Sequence, residues 1–407
     1  MKTVLGVLLG LVLAVPALAL DKPRDFIPPP VQRIPNFRDQ TREVILELAS
    51  YAKKRDPNFQ VIMRGGAELL VKGEIEVEWE SIRDPDGTNF IKRLPLGATF
   101  RPLIRSLDGL VLDGLYCGPA KFDTSLAEAI KARRALDAQL SRERSQGIQR
   151  PPTPVLMGPF SNDPAEELRK ASEVRQLQER AETQRREIYA IGAMRDEGRT
   201  LLSVDVCANQ TDADAAIRAG ARDKAPAFAK SGGGDKLDQL PRGTPAFENP
   251  AEVNTIATAR NWLPILRSDR FGTKGDFINA IADTNYDVVV VDVAHRGADL
   301  LVKSDIARLK FKKLGPRRLV LAVMPIGRAF DWRWYWQKDW DVGSPAFLFA
   351  HDEAPGTYIT DTGSTEWRAV LSKYLTGIMD LGFDGVMFDD VGTYSWFEDL
   401  MPLGPGG

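Results

Sequence analysis

The sequence predicts an α/β fold of the (β/α)8 barrel type, a closed parallel sheet surrounded by helices, and three observations support this prediction. Short segments that are apolar throughout alternate with segments whose apolar residues recur at helical spacing. Strands that are apolar on both faces are typical of a parallel sheet covered by helices. Eight such strands can be counted along the chain. Eight βα units in a row indicate a barrel, which needs about 250 residues plus insertions.

The first half of the chain supplies four of the predicted strands. A helix is predicted within DQTREVILELASYAKKRDPNF, where Asp39 or Thr41 can cap the start and Asp56-Pro57-Asn58 ends the helix, so that it covers residues 39–55. Each predicted strand is a short apolar run, as in FQVIMR and LLSVDV. The four strands of this half are 59–64, 108–113, 200–206 and 225–230.

The second half repeats the alternation, with strands such as YDVVVVD and RRLVLAVMP separated by helical segments. The fourth and fifth strands of the chain are the weakest, which leaves open a second arrangement of two α/β domains divided near Gly232. In the barrel arrangement, residues 39–407 form one domain with a helical and proline-rich insertion around 120–165. The four strands of this half are 260–267, 286–293, 317–325 and 383–389.

The N-terminal segment predicts export. A lysine precedes an apolar run that ends in Ala17-Leu18-Ala19, which is the pattern of a cleaved signal peptide over residues 1–19. The run is shorter than the ~20 apolar residues of a membrane span, although an uncleaved anchor stays possible. A proline-rich leader follows at 20–38. We therefore expect a periplasmic or secreted protein with no membrane span after cleavage.

Composition narrows the classes of function. A hydrophobic content of 43% suffices for a large core, and a formal net charge of −2 provides no basic field for nucleic acid. Cys117 and Cys207 can form one bridge if their Cα atoms come within ~7 Å. Neither cysteine has metal-type spacing, and His295 and His351 are the two histidines of the chain, so no metal site and no cofactor are predicted.

Charged residues gather at the predicted C-terminal ends of the strands, where barrel active sites lie. Carboxylates accept protons from hydroxyl groups, and arginine donates in a fixed plane, so such a ring suits a sugar. The simpler alternative is that these aspartates cap helices and pair with arginines. The strand-end residues are Arg64, Asp113, Asp205, Arg267, Asp292, Arg328, Asp331, Asp389 and Asp390.

Glycoside hydrolysis needs two carboxyl groups across the scissile bond, and Asp389 and Asp292 are the predicted catalytic pair. Asp389 follows an apolar strand and therefore emerges at the barrel mouth. Crowded carboxylates raise one another's pKa, which supplies a protonated acid near neutral pH. Asp384 begins the same strand and is expected at the opposite end, in a structural role.

Aromatic residues accompany these acids in DWRWYWQKDW, residues 331–340, which holds four tryptophans and one tyrosine. We interpret Trp332 and Trp336 as a wall on which a sugar stacks, although the rings could instead pack a loop against the barrel. His295 is either a hydrogen-bonding group or structural. The predicted substrate-binding set is Arg328, Asp331, Trp332, Trp336, Arg64, Asp113, Tyr116, Asp205 and Asp390.

Three motifs carry a family resemblance: YDVVVVD, RRLVLAVMPIGRAFDWRWYWQKDW and GFDGVMFDDVGTY. Over residues 286–397 they resemble glycoside hydrolase family 114, the endo-alpha-1,4-polygalactosaminidase-like barrels. At the positions of the second and third motifs, members of that family typically have the sequences "vLaYlSIGEAEdYRyYW" and "GFDGVYLDivDaY". The resemblance implies a barrel that hydrolyses a polysaccharide containing amino sugars, with acidic residues on the strands that bear these motifs.

The first half of the chain resembles the later part of the same family. REVILELASYAKKRDPNFQVIMRGGAELL is similar to the segment that normally follows the GFDGVYLD strand. The chain would then carry family strands five to eight first and one to four second, a circular permutation. This arrangement implies that strand 383–389 pairs with strand 59–64 and that Phe397 lies near Phe37.

The chain departs from the family at several motif positions. The family's SIGEAE is PIGRAF here, so its glutamates fall at Arg328 and Phe330, and Met387 stands where some members are acidic. Asp389 and Asp331 match the family. These departures leave open a non-catalytic polysaccharide-binding barrel associated with exopolysaccharide, and a metal-dependent hydrolase with clustered aspartates is a third, weaker alternative.

Overall fold

The computed structural model describes residues 26–87, 94–117, 187–232 and 236–403. The predicted signal peptide, the first part of the leader and the predicted insertion around 120–165 lie outside the described residues. None of the helices in the described part of the chain combines the length and the hydrophobicity that a membrane span requires.

Eight parallel strands form one sheet, and all eight agree with the sequence prediction to within two or three residues. β5 and β6 are shorter than predicted because their flanking residues bend into loops. The strands are β1 Gln60–Arg64, β2 Gly109–Asp113, β3 Thr200–Cys207, β4 Ala227–Ser231, β5 Trp262–Ile265, β6 Val288–Val291, β7 Leu319–Pro325 and β8 Gly385–Asp389.

The strand order is β4-β3-β2-β1-β8-β7-β6-β5, so strands from both halves of the chain belong to the same sheet. The alternative of two separate α/β sheets is therefore wrong. The last strand pairs with the first, with Gln60 opposite Gly385 and Met63 opposite Phe388. The strand residues are almost entirely buried, which is why their sequences are apolar throughout. The architecture is a nearly closed (β/α)8 barrel.

The barrel has a seam between β4 and β5, which share no strand ladder among the described residues. The connection across this seam, residues 232–261, has a single 3-10 turn, Ile256–Thr258, as its helical element in the described part. The other connections carry α-helices. The helices are α1 Phe37–Arg55, α2 Glu74–Arg83, α3 Arg101–Ser106, α4 over residues 187–196, α5 Gln210–Arg222, α6 Lys274–Ala282, α7 Lys303–Leu309, α8 Thr365–Leu381 and α9 Tyr394–Leu400.

Helix α1 begins two residues earlier than predicted, so the expected cap at Asp39 or Thr41 is wrong. Asn36 is the N-cap, because its side-chain oxygen accepts a hydrogen bond from the Asp39 amide at 3.1 Å. The extra turn places the Phe37 ring against Phe397 of α9, with ring centroids 5.0 Å apart. Helix α1 therefore lies against α9, between β8 and β1.

Beyond the end of β7 the chain forms a small antiparallel sheet that the sequence analysis missed. Its strands are Arg328–Phe330, Thr357–Thr360 and Leu348–His351, in that spatial order. The segment reads as an aromatic and polar loop because its three strands are short and irregular, with a register shift near Leu348. This sheet carries Arg328 and the aromatic segment at the C-terminal end of the barrel.

At the opposite end, an aspartate stands just before three of the strands and accepts a hydrogen bond from the neighbouring strand. Asp108 accepts from Val61, and Asp384 accepts from Val320, at 2.7 and 3.0 Å. Asp287 accepts from the amide of Arg260 at 2.7 Å. The structural role predicted for Asp384 is thus confirmed, and Arg317 and Lys310 form ion pairs with it. The ion-pair partners of the other two are Lys53 for Asp108 and Lys312 for Asp287.

A disulfide joins Cys117 and Cys207, whose Cα atoms are 5.2 Å apart. The spacing falls within the range that the sequence analysis set for a bridge. The bond ties the loop after β2 to the end of β3. The same loop is held a second time by Asp205, whose carboxylate accepts from the amides of Tyr116 and Cys117.

The ion pair between Lys312 and Asp287 is fully buried, with side-chain exposures of 1% and 0%. Lys312 also donates to the carbonyls of Asn249 and Ala251, at 2.7 and 2.9 Å, so it fastens the connection across the seam. We expect Lys312→Met to lower the free energy of unfolding by about 3–5 kcal/mol, because Asp287 would be left as a buried charge without its cation. Denaturant unfolding measures this loss.

Lys313→Met is the matched control, because its partner Asp283 and Lys313 itself are exposed, at 68% and 55%. Exposed ion pairs contribute about 0–1 kcal/mol, so the control should unfold almost like the wild type. Equal effects of the two substitutions would contradict the structural role assigned to Lys312.

Candidate functional site

A pocket of about 660 Å³ lies at the C-terminal end of the barrel. Residues at or beyond the ends of β1, β5, β6, β7 and β8 line it, together with the small antiparallel sheet. Charged groups dominate the lining, and Phe330 and Trp332 add two aromatic rings. The charged residues are Arg64, Lys236, Arg267, Asp269, Asp292, Arg296, Arg328, Arg333, Asp352, Asp389 and Asp390.

Asp389, the last residue of β8, is held from the neighbouring strand β1. Arg64 donates from Nη1 to Asp389 Oδ2 at 3.3 Å and from Nε to Asp113 Oδ1 at 3.1 Å. The contact follows from the register, since Met63 and Phe388 are opposite one another and the next residues both reach the mouth of the barrel. Asp113 is half exposed and contacts the site through Arg64; it does not line the pocket.

Asp390 is the carboxylate of this site with the most perturbed environment. Its backbone has a left-handed φ of 53°, which is uncommon for a residue other than glycine and is typical of functional positions. Burial and the adjacent Asp389 together raise the pKa of Asp390 to about 6, against the opposing effect of Arg328 and Arg64. Asp390 is therefore partly protonated near neutral pH.

Arg328 joins Asp390 to the small sheet. Its Nη1 donates to Asp390 Oδ1 at 2.5 Å, and its Nε donates to Asp352. Gly327 permits this approach: its amide donates to the Asp390 carbonyl at 3.2 Å, and a Cβ there would collide with Thr393. Arg328 thus places a cation between two carboxylates, Asp352 and Asp390.

Asp292 lines the pocket from the end of β6 and forms a two-point ion pair with Arg333. Both guanidinium nitrogens of Arg333 donate to it, the Nη2 bond measuring 2.7 Å. The Arg333 side chain is buried and lies between the rings of Phe330 and Tyr374. The Asp292 carboxylate is thus held in one orientation at the edge of the pocket by Arg333.

The aromatic segment divides between packing and the pocket. Trp332 is 40% exposed and lines the pocket, with its indole against Phe330 and against the backbone of Gly297. Trp336 lies outside the pocket lining and packs on Tyr358 at 4.6 Å between ring centroids. Asp331 is exposed and also lies outside the lining. One ring of the predicted stacking wall is therefore placed to meet a ligand.

Asp205 and Tyr116 are not in the pocket, contrary to the sequence analysis. Asp205 has 0% exposure, and Ser203 donates to its second oxygen at 2.7 Å. Burial raises the pKa of Asp205, which these hydrogen bonds oppose. The Tyr116 hydroxyl donates to Asp223 at 3.3 Å. Both residues hold the loop after β2, because β3 carries Asp205 toward that loop and away from the mouth.

His295 is buried against Phe277, with 5.9 Å between ring centroids, and does not line the pocket. In the described part of the chain, no group of three or more His, Cys, Asp or Glu side chains has the geometry of a metal site. Sequence reasoning missed Arg333, Asp352, Arg296 and Lys236, which line the pocket from loops. Arg333 could have been predicted to line the pocket, because it lies inside the aromatic segment 331–340.

No family model matches the chain. An uncharacterized protein of Methanocaldococcus jannaschii is 31% identical over 125 residues, which is 30% of this chain and 35% of that protein. An uncharacterized protein of Deinococcus radiodurans is 25% identical over 170 residues, 42% of this chain and 52% of that protein. A third, from Thermotoga maritima, is 26% identical over 119 residues. The matches span about a third to a half of these relatives' lengths.

The substitution Arg328→Gln tests the electrostatics of the site without any substrate. Arg328 stabilises the ionised form of Asp390, so its removal should raise the pKa of Asp390 further above about 6. Carboxyl carbon NMR of aspartate-labelled protein, followed through a pH titration, measures this pKa.

Arg267→Gln is the control for this titration, because Arg267 lines the pocket without contacting Asp390. It should leave the Asp390 titration close to that of the wild type. An unchanged or lowered pKa in Arg328→Gln would show that the contact with Asp390 is not formed in solution.

Proposed function

We propose that this protein is an exported glycoside hydrolase that acts on a polysaccharide. The observation that carries the proposal is the pocket itself, in which three carboxylates, Asp292, Asp389 and Asp390, face one cavity beside an exposed tryptophan. Two carboxyl groups across a glycosidic bond are the requirement of this chemistry, and a flat ring is the usual platform for a pyranose. The volume of about 660 Å³ admits a few sugar units.

The raised pKa of Asp390 assigns the roles. Asp390 holds the proton that the leaving oxygen receives, since its pKa of about 6 keeps a protonated fraction at neutral pH. Asp292, across the pocket on β6, acts as the base or nucleophile, oriented by Arg333. Asp389 then holds Arg64 and sets the field around Asp390. The sequence analysis predicted Asp389 and Asp292 as the catalytic pair and Asp390 as a substrate-binding residue. The proposed assignment keeps Asp292 and replaces Asp389 by Asp390.

The resemblance to the polygalactosaminidase-like barrels adds the substrate, a polymer containing amino sugars, and the circular permutation. The pairing of β1 with β8 and the contact of Phe37 with Phe397 agree with a permuted chain. Any closed barrel also pairs its first and last strands, so the order of the resembling motifs along the chain is what favours the permutation. The connection across the seam, which has no α-helix in its described part, stands where the ends of an unpermuted chain would lie.

A non-catalytic polysaccharide-binding barrel is the second candidate, and one observation favours it. Asp292, Asp389 and Asp390 each have an arginine partner: Arg333 for Asp292, Arg64 for Asp389 and Arg328 for Asp390. An ion-paired carboxylate is a weaker base than a free one. The same arrangement would present fixed hydrogen-bond acceptors and donors to a sugar without cleaving it.

Sugar release from a panel of purified polysaccharides, including alpha-1,4-galactosamine polymers, separates the two functions. We expect Asp390→Asn to lower the rate by about 10²–10⁴-fold, because a neutral amide cannot donate the proton. In the wild type the rate should fall as the pH rises through about 6, where Asp390 loses its proton. Binding, measured by pull-down, should survive in the variant.

Asp283→Asn is the control, since Asp283 is exposed and lies away from the pocket. It should retain full activity. Polymer binding without sugar release by the wild-type protein would favour the non-catalytic candidate over the hydrolase.

The topology also predicts the stereochemical course. β6 and β8 are separated by β7, so their backbones lie about 10 Å apart at a spacing of about 4.8 Å per strand. This separation suits the ~6.5–9.5 Å between carboxyl groups of inverting enzymes better than the ~5 Å of retaining ones. Proton NMR of the first product formed should show inversion at the anomeric carbon. Retention at the anomeric carbon would show that the two catalytic carboxylates lie closer together than Asp292 and Asp390. Asp389 and Asp390 would then be the pair to test by substitution.

A further inference from the structure

One wall of the pocket carries cations that have no carboxylate partner among the residues the structure describes. Lys236, Arg267 and Arg296 line the pocket with exposed side chains, and we call these three residues the cationic wall. Within the described ranges, none of the three forms an ion pair, whereas Arg64, Arg328 and Arg333 are each paired. Among the described residues of this wall, Asp269 is the acid, so three cations stand there with one carboxylate.

Hydrogen bonds between loops hold the cationic wall together. The amides of Leu266 and Arg267 donate to the carbonyl of Leu237 at 2.9 and 3.1 Å, which joins the segment after β4 to the end of β5. The amide of Arg296 donates to Ser268 Oγ at 2.7 Å. Three separate stretches of chain thus meet on one side of the pocket, and their charges face the same space.

Arg296 is the most constrained member of the wall. Its φ of 50° is left-handed, a region that arginine seldom occupies. Its Nη2 donates to the carbonyls of Phe271 and Asp269, at 2.6 and 3.3 Å, which fixes the guanidinium and leaves its other donors free. Gly297, the next residue, lies beneath the Trp332 indole, so a fixed cation stands beside the aromatic platform.

We propose that the cationic wall binds the acidic group of an anionic polysaccharide, with the neighbouring ring stacked on Trp332. This inference rests on the proposed carbohydrate function and changes its substrate class. A carboxylate or sulfate on the sugar would pair with Arg296 and Arg267, whose planar donors match such groups. A free amino sugar would instead meet a wall of its own charge. The amino-sugar substrate that the family resemblance implies therefore fits this pocket less well than an acidic one.

Polygalacturonate and its neutral methyl ester form a matched pair of probes, and polygalactosamine supplies the cationic comparison. We expect the full chain to bind polygalacturonate more tightly than either, and increasing NaCl to weaken this binding by screening. The triple substitution Lys236→Gln, Arg267→Gln and Arg296→Gln should lower affinity for polygalacturonate by roughly tenfold or more, with little effect on the ester. Isothermal titration calorimetry measures all of these affinities.

The control is a triple variant with the same charge change away from the pocket, Lys224→Gln, Arg260→Gln and Arg308→Gln, whose side chains are exposed. It should bind polygalacturonate like the wild type. Equal losses in the two variants, or equal binding of the ester, would overturn the inference. Cleavage of the neutral ester that depends on Asp390, without any charge preference, would overturn it while leaving the hydrolase in place. Preferential binding of the anionic polymer without cleavage would support the inference and contradict the proposed hydrolase activity.

Discussion

The strand β8 is the element on which the rest of the structure depends, because it joins the second half of the chain to the first in one sheet. It pairs with β7 on one edge and with β1, the first strand of the chain, on the other. That second pairing joins the two ends of the sequence and makes one sheet from both halves. It also sets the site, since Arg64 at the end of β1 reaches Asp389 through this register. Helix α1 covers the junction, with Phe37 stacked on Phe397.

Arginine pairing then determines how the carboxylates of the mouth can act. Three aspartates converge there, and without cations their mutual repulsion would force protons onto them. Arg64 and Arg333 hold Asp389 and Asp292 in place. Asp390 is the exception in its electrostatics: burial and the adjacent Asp389 raise its pKa to about 6 even though Arg328 contacts it. Asp390, which can carry a proton, thus stands beside Asp389 and Asp292, whose orientation is fixed. Acid-base chemistry requires such a difference between neighbouring carboxyl groups.

Much of the fold could be predicted because its signal is local. The eight strands are apolar runs of fitting length, and the aspartates that follow or precede them identify the two ends of the barrel. The site was predictable in part: Asp292, Asp389, Asp390, Arg64, Arg328 and Trp332 line the pocket, as strand ends and the aromatic segment indicated. Asp205 was predicted in the site and is not there. The direction in which the side chain of a strand-end residue points depends on its tertiary neighbours, which the sequence does not display. Arg296 and Lys236 come from loops, whose contacts are not periodic.

Aspartates occur at both ends of the strands, and their surroundings separate structural from chemical roles. At the N-terminal end, the Asp287 carboxylate is fully buried and contacts three partners, Lys312, Arg260 and Asn249. These contacts fasten the connection across the seam. Nothing is left for a ligand to contact. At the C-terminal end, the Asp390 side chain is 25% exposed, faces a cavity and has one oxygen paired with Arg328. The same residue type in similar ion pairs therefore stabilises one end of the barrel and stays accessible to a second molecule at the other. The difference is that a second molecule can reach the Asp390 oxygen that Arg328 does not contact. For the same reason, the arginine partners alone do not exclude catalysis.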